Sequence, residues 1–178
     1  MIPRRIQYGR CSFVLPDGFI LQEGASHVNA HSSGRMHCVE GAKVPICITL
    51  TSTAVHPGVP VFSLLPEDMN PDAYPVSITL TSLMAPNDAC PLDHLRKTAD
   101  VLRRYYRSFE VSFSKKSRVG EHSAARAQCS FVTNFKIFQL IIVWLADKEL
   151  VTCTMMVSES GVEKGWKKLR RFVDSIRL

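Results

Sequence analysis

Ile46-Cys47-Ile48-Thr49-Leu50-Thr51-Ser52 returns thirty positions later as Val76-Ser77-Ile78-Thr79-Leu80-Thr81-Ser82, and a proline, Pro45 or Pro75, precedes each copy. Both stretches alternate large apolar and small polar residues with period two, the pattern of a strand covered on one face. Ile46, Ile48 and Leu50 fall on one side, with Cys47, Thr49 and Thr51 on the other. In the second copy Val76, Ile78 and Leu80 oppose Ser77, Thr79 and Thr81. A sheet containing such strands is greasy on one side and small and hydroxyl-bearing on the other. No matching unit occurs elsewhere, so the copies read as two similar strands of one sheet and not as an internal repeat.

The later strands read differently. Phe138-Gln139-Leu140-Ile141-Ile142-Val143-Trp144-Leu145 is apolar at nearly every position, as expected of a central strand covered on both faces. Leu150 to Val157 reads the same way. Strand-like runs are predicted at about 110–117, 124–134, 136–146 and 150–158, with turns at Val119-Gly120-Glu121 and Asp147-Lys148-Glu149.

Two amphipathic helices frame these runs. The first spans about 91–108, with Leu92, Leu95, Ala99, Leu102, Tyr106 and Phe109 at steps of three and four and Pro91 at its start. The second spans about 161–176 with an apolar stripe of Val162, Trp166, Leu169, Phe172, Val173 and Ile176; Ser160 and Glu163 have the spacing of a capping box. The expected architecture is therefore α+β: an antiparallel β-sheet partly sandwiched by two main helices, its N-terminal half open on one side.

Ahead of the helices, Tyr8 to Leu15 is a strand candidate ended by the turn Pro16-Asp17-Gly18, and Phe19 to Ala30 is a second. His31 to Gly41 reads as a loop. Residues 56–73 carry Pro57, Pro60, Pro66 and Pro71, too many for a central strand or a long helix, and read as an excursion from a single domain spanning 1–178.

Composition is that of a globular chain: 178 residues, 46% hydrophobic and 21% charged, with a net charge of +6. Basic residues near the start lack a following apolar run, so no secretory signal is expected. The greasiest segment, Ile137 to Leu145, falls far short of the roughly 20 residues a helix needs to cross a bilayer. A soluble protein without a membrane span follows as the expectation. Cys11, Cys38, Cys47, Cys90, Cys129 and Cys153 form no C-x-x-C pair, which favours free, buried thiols.

No residue cluster announces a reaction. His27, His31, His37 and Cys38, with Glu40 beside them, are metal-ligand types, but their spacing matches no zinc pattern, so no metal and no cofactor are assigned. Cys38 beside His37 is the one sequence-local nucleophile and base pair, and neighbours on a strand point to opposite faces; no catalytic residue is assigned. Arg103-Arg104 and Lys167-Lys168-Leu169-Arg170-Arg171 would suit phosphates, yet no nucleic-acid motif accompanies them and such residues commonly form a solvated helix face.

The hydroxyl face remains. Thr49, Thr51, Ser77, Thr79 and Thr81 would let a partner helix approach closely and offer it hydrogen bonds; they would equally suit a solvent-facing side, threonine being a good strand former. The residues alone leave both readings open.

A family resemblance bears on that choice. Phe13-Val14-Leu15-Pro16-Asp17-Gly18-Phe19 resembles the F-x-L-P-x-G-aromatic opening of the DcrB-like proteins. The ending, an apolar strand followed by a helix carrying Trp166 and closing on Phe172-Val173-Asp174-Ser175-Ile176, is similar too. The order of elements over nearly the whole chain looks like the PsbP-like fold. That group includes extracytoplasmic lipoproteins, a photosystem extrinsic subunit, Ran-GTPase-binding proteins and the Eag-type chaperones of type VI secretion. The absence of an export signal points to the cytoplasmic Eag-type members. The resemblance to them implies a non-enzymatic adaptor or chaperone that holds a hydrophobic, often transmembrane, segment of a secreted effector on its sheet, commonly as a homodimer. A basic nucleic-acid-binding or GTPase-binding module is the competing expectation.

Overall fold

The alternating stretches become strands and the stretches of period 3.6 become helices. A computed structural model describes residues 5–8, 10–21, 46–52, 77–106, 108–132 and 136–178. Within them the elements run β1 (Arg5–Tyr8), β2 (Cys11–Val14), β3 (Phe19–Leu21), β4 (Cys47–Ser52), β5 (Ser77–Met84), α1 (Pro91–Tyr105), β6 (Glu110–Val119), β7 (His122–Val132), β8 (Lys136–Ala146), β9 (Glu149–Val157) and α2 (Val162–Ser175). β1 and β2 form a separate antiparallel hairpin, and the other seven described strands form one sheet in the order β3-β4-β5-β9-β8-β7-β6. Every pairing in it is antiparallel. The two similar strands are neighbours: Thr49 sits opposite Thr79, and Ile48 opposite Leu80.

The sheet has two cores. On one face Ile48, Leu50, Ile78, Leu80, Leu140, Ile142, Trp144 and Met155 pack with Phe13 of β2 and with Leu169, Phe172 and Val173 of α2. Phe13 meets Phe172 edge-on, ring centres 5.5 Å apart. Gly165 lets α2 lie close: a methyl there would stand 2.9 Å from both Leu140 Cδ1 and Val157 Cγ1. On the opposite face Leu95 and Ala99 of α1 pack on Ala125, Ala127, Cys129, Phe131, Ile141 and Val143. Here the small residues are on the sheet, and Tyr106, just past α1, stacks on Phe131 at 4.5 Å.

Turn chemistry sets the registers. Gly18 adopts φ 78° and closes the Pro16 to Phe19 turn, whose Phe19 N–H donates to the Pro16 carbonyl at 3.2 Å. The β8 to β9 hairpin turns on Asp147 and Lys148, both left-handed at φ 49° and 65°, as a two-residue hairpin loop matching the strand twist requires. The β6 edge is protected against further pairing, for it carries Lys115, Lys116 and Arg118 with an irregularity between Val111 and Phe113.

A polar latch joins distant parts of the chain. Arg10 forms an ion pair with Glu149, which is buried, and also donates to Ser82 Oγ at 3.3 Å. Ser82 Oγ in turn accepts the Ile46 N–H at 2.9 Å. On the other side of the hairpin, Ser12 and Arg177 exchange backbone hydrogen bonds of 2.8 Å, so β2 is fastened to the residues that follow α2.

Several sequence expectations need correction. Tyr8 to Leu15 is not one strand: a tight turn after Tyr8 folds β1 back on β2, pairing Tyr8 with Cys11. α1 stops at Tyr105, short of 108, because Tyr106 is extended and Ser108 takes a left-handed φ of 58°. No capping box forms at α2. Gly161 is the N-cap, its N–H donates to Ser158 Oγ at 3.2 Å, and Glu163 bonds forward to Lys167 at 2.8 Å. The α+β sheet with two helices stands. The histidine cluster at 27–38, the end of the strand expected at 19–30 and the proline-rich excursion at 56–73 lie outside the described residues. Among the described residues no helix is long and apolar enough to cross a membrane.

Candidate functional site

The hydroxyl side of the paired strands extends further than the sequence reading placed it. In β9, Cys153 and Met155 point into the α2 core, which turns Thr152 and Thr154 to the opposite face. Thr154 stands opposite Thr79 and Thr152 opposite Thr81. Two rows result: Thr49-Thr79-Thr154 across β4, β5 and β9, and Thr81-Thr152 beside it. Thr49, Thr79, Thr81, Thr152 and Thr154 are all half-buried. Ser77 lies on the same face but is buried at 7% exposure, and the Thr51 side chain is outside the described residues.

Reading β9 as a strand covered on both sides therefore holds only at its ends, where Leu150 is buried in the α1 core and Met156 packs against it. Its Thr152-Cys153-Thr154-Met155 core alternates just as the two similar strands do, and flanking Leu150 and Met156 hide that alternation in the sequence. Among the described residues the cover on this face ends within β9: the next residues along the rows, Ile141 and Val143, are buried in the α1 core, which also takes in Leu150 and, in part, Met156 at the two ends of β9.

α1 forms a wall at that boundary. It packs on β6, β7 and β8. Arg96, Asp100 and Arg103 line a cleft with Val111 and Ser114 of β6, so that flank of the helix faces the β6 edge. His94, Thr98, Val101 and Tyr105, spaced i, i+4, i+7 and i+11, form the opposite flank, turned away from the β6 edge. Val101 is 49% exposed and Tyr105 78% exposed. Sequence reasoning missed both; the available signal was a pair of apolar residues off the buried stripe of Leu95 and Ala99.

Floor and wall differ in their electrostatics. The described floor residues carry no charge, and the apolar Ile20 and Leu83, 39% and 43% exposed, stand at its margins on the same face. Burial first, and Lys97 second, hold the His94 pKa below the ordinary histidine value, so the imidazole is neutral at pH 7. Two of the four cations of α1 pair on its other side, Arg103 with Asp100 at 2.6 Å and Arg96 with Asp93 at 3.5 Å, while Lys97 acts on His94. An uncharged strip of hydroxyls and exposed apolar groups thus lies on a protein of net charge +6.

Covalent chemistry finds little support among the described side chains. Cys11, Cys129 and Cys153 are buried free thiols and Cys90 is half-buried. Burial pushes the Cys129 thiol up to about 11 and the Cys153 thiol further still, away from the nucleophilic thiolate. No three His, Cys, Asp or Glu side chains gather as a metal site among the described residues.

No protein-family model matches the chain, and no curated protein does either. Solved structures do. Cyanobacterial PsbP from Synechocystis is similar with a TM-score of 0.59 and 11% identity, over 98% of this chain and 91% of its own. The Ran-binding protein Mog1p of Saccharomyces cerevisiae matches at TM-score 0.55 and 10% identity, over 99% and 95%. LpqN of Mycobacterium tuberculosis, described as involved in cell envelope biogenesis, matches at 0.51 and 12%, over 97% and 88%. At such identities the likeness is one of fold: the chain has the α+β fold of PsbP and Mog1p.

Proposed function

We propose that this protein is a cytoplasmic, non-enzymatic adaptor or chaperone that holds an apolar segment of a partner protein across the threonine floor, against the α1 wall. The carrying observation is the uncharged floor: Thr49, Thr79, Thr81, Thr152 and Thr154 in register, with exposed Leu83 and Ile20 on the same face and exposed Val101 and Tyr105 on the flank of α1 away from β6. Small hydroxyl side chains let a helix backbone approach and can satisfy its polar atoms. The surrounding apolar groups contribute burial at about 25 cal/mol per Å² of apolar area, less the cost of ordering the segment. The described floor residues offer a phosphate backbone no cation, which sets the nucleic-acid reading behind.

The resemblance to DcrB-like and Eag-type proteins supports the finer form of the proposal, in which the partner is a secreted effector with a hydrophobic or transmembrane segment and the holder is a homodimer. Mog1p, described as Ran-binding, supports the coarser form, since the same fold there serves a protein partner. No cofactor takes part in this mechanism.

The test uses a fluorescent Leu/Ala-rich 20-residue helical peptide and the full chain. Saturable binding is expected, at least tenfold weaker for T79R/T154R, a variant whose circular dichroism and melting should stay close to the parent's. Equal binding by parent and variant would remove the floor from the mechanism. Salt-sensitive binding of an RNA or DNA oligonucleotide without peptide binding would replace the proposal by the basic-module reading.

A further inference from the structure

α2 buries Leu169, Phe172 and Val173 against the sheet face opposite the threonine floor. One of its flanks, Lys164, Lys167, Lys168 and Arg171, lines a cleft of about 400 Å³ whose other wall is Val14, Leu15, Pro16 and Asp17. That volume is in the range of a small-molecule site. The turn that builds the wall is the one closed by Gly18, so its position is set by backbone geometry.

The four cations are unequal. Lys167 pairs with Glu163 at 2.8 Å, while Lys164 and Arg171 form no ion pair among the described residues. Lys168 is half-buried: its ammonium donates to the Asp17 carbonyl oxygen at 3.2 Å and lies 5.1 Å from the centre of the Phe19 ring. A dipole and a ring face are weaker partners for an ammonium than a formal anion. Burial lowers the Lys168 pKa, and the charge on Asp17 opposes that only in part. An anion in the cleft would supply the missing counter-charge, and the half-buried Val14, Leu15 and Pro16 would receive an apolar chain attached to it.

We propose that the cleft between the Pro16-Asp17 turn and α2 binds an anionic headgroup carrying an apolar chain, with Lys164, Lys168 and Arg171 on the headgroup and Val14, Leu15 and Pro16 on the chain. The site is independent of the threonine floor.

Titration of the full protein with octyl phosphate, below its critical micelle concentration, tests it against inorganic phosphate and octyl glucoside. One saturable octyl phosphate site is expected, at least tenfold tighter than either comparison compound, since one lacks the chain and the other the charge. K164Q/R171Q, two substitutions outside the buried core, should lose at least tenfold, and K115Q/K116Q on β6 should lose nothing. Co-sedimentation with phosphatidylglycerol vesicles identifies the source: binding there, lost in K164Q/R171Q, assigns the headgroup to a membrane lipid, and its absence assigns it to a free amphiphile. Equal affinity for octyl glucoside, an equal loss in both double variants, or no octyl phosphate binding at all overturns the proposal. T79R/T154R should bind octyl phosphate like the parent, so the failure of either site leaves the other standing.

Discussion

Along one row of the sheet, Thr49, Thr79, Thr154, Ile141 and Ala127 stand side by side on the same face. Ile141 and Ala127 are buried with α1 at 3% and 0% exposure, while the three threonines are half-buried. The backbone is the same antiparallel ladder throughout, so side-chain chemistry makes the difference. A methyl group lets a helix settle on the sheet with no polar group to satisfy. A hydroxyl under a helix needs a hydrogen-bond partner there, and without one it costs about 1 to 3 kcal/mol. One row therefore contains both a core and a surface, and the change occurs within a single strand pair.

The largest expected effect tests that contrast with one residue type at both ends of the row. Ala127→Arg drives a charge and a long side chain beneath α1 and should cost more than about 4 kcal/mol, read by urea unfolding. Thr154→Arg on the same row should cost less than about 1 kcal/mol, its guanidinium reaching solvent over the floor. Comparable losses at both positions would show that the threonine rows are core, and the proposed partner face would fall with them.

The Arg10 latch comes next, because it pins both uncovered strands to β9. Arg10→Met strands the buried Glu149 carboxylate and should cost about 3 kcal/mol, the low end for a broken buried pair because the Arg10 side chain keeps 27% exposure. R10M/E149M should recover most of that loss. If the double variant is no more stable than R10M, the ion pair is not what holds this end of the sheet.

Much of this contrast was legible in residue pattern alone. Period-two alternation placed Ile48, Leu50, Ile78 and Leu80 on the core side, and the doubly apolar run around Trp144 marked the covered half. Thr152 and Thr154 were harder to see, because a strand flanked by Leu150 and Met156 looks apolar on both faces until its neighbours are known. Register is a tertiary fact: that Thr154 lies opposite Thr79 depends on β9 pairing with β5 across the whole α1 to β8 excursion. The α1 wall was hidden for a related reason, since periodicity finds the buried stripe of a helix but not which flank borders an uncovered sheet. The capping box failed locally. Glu163 has Lys167 one turn ahead and bonds to it at 2.8 Å, while Ser160 lies beside Ser158 at 3.1 Å.

A smaller effect is expected on the covered face at Gly165. Its missing Cβ is what brings α2 within reach of Leu140 and Val157, both of which would have to move for an alanine. Gly165→Ala gains helix propensity but overpacks, for a net loss of about 1 kcal/mol in a thermal or urea melt. A stabilised G165A would mean that α2 is held less closely than the contacts imply, and that the two faces differ less in packing than in polarity.

The smallest effect concerns the thiols, which report on the two covered cores and on the strand that borders the floor. Cys129 lies in the α1 core and Cys153 in the α2 core, directly between Thr152 and Thr154. Burial stabilises the neutral thiol at both, raising Cys129 to about 11 from an ordinary 9.0. The fold therefore gains nothing from these groups that is lost on acidification. The contribution of Cys129 is complete below pH 9 and disappears as the pH rises through 11, where the unfolded chain ionises first, and that of Cys153 starts to fall at the same point and continues beyond. Stability measured from pH 8 to 11 should decline, and Cys129→Ala should make the decline shallower. Iodoacetamide at pH 8, mapped by mass spectrometry, should label the half-buried Cys90 well before Cys129 or Cys153. Rapid labelling of Cys153 with Cys129 protected would show that β9 opens in the native state, making the threonine floor a frayed sheet margin instead of a rigid platform for a partner.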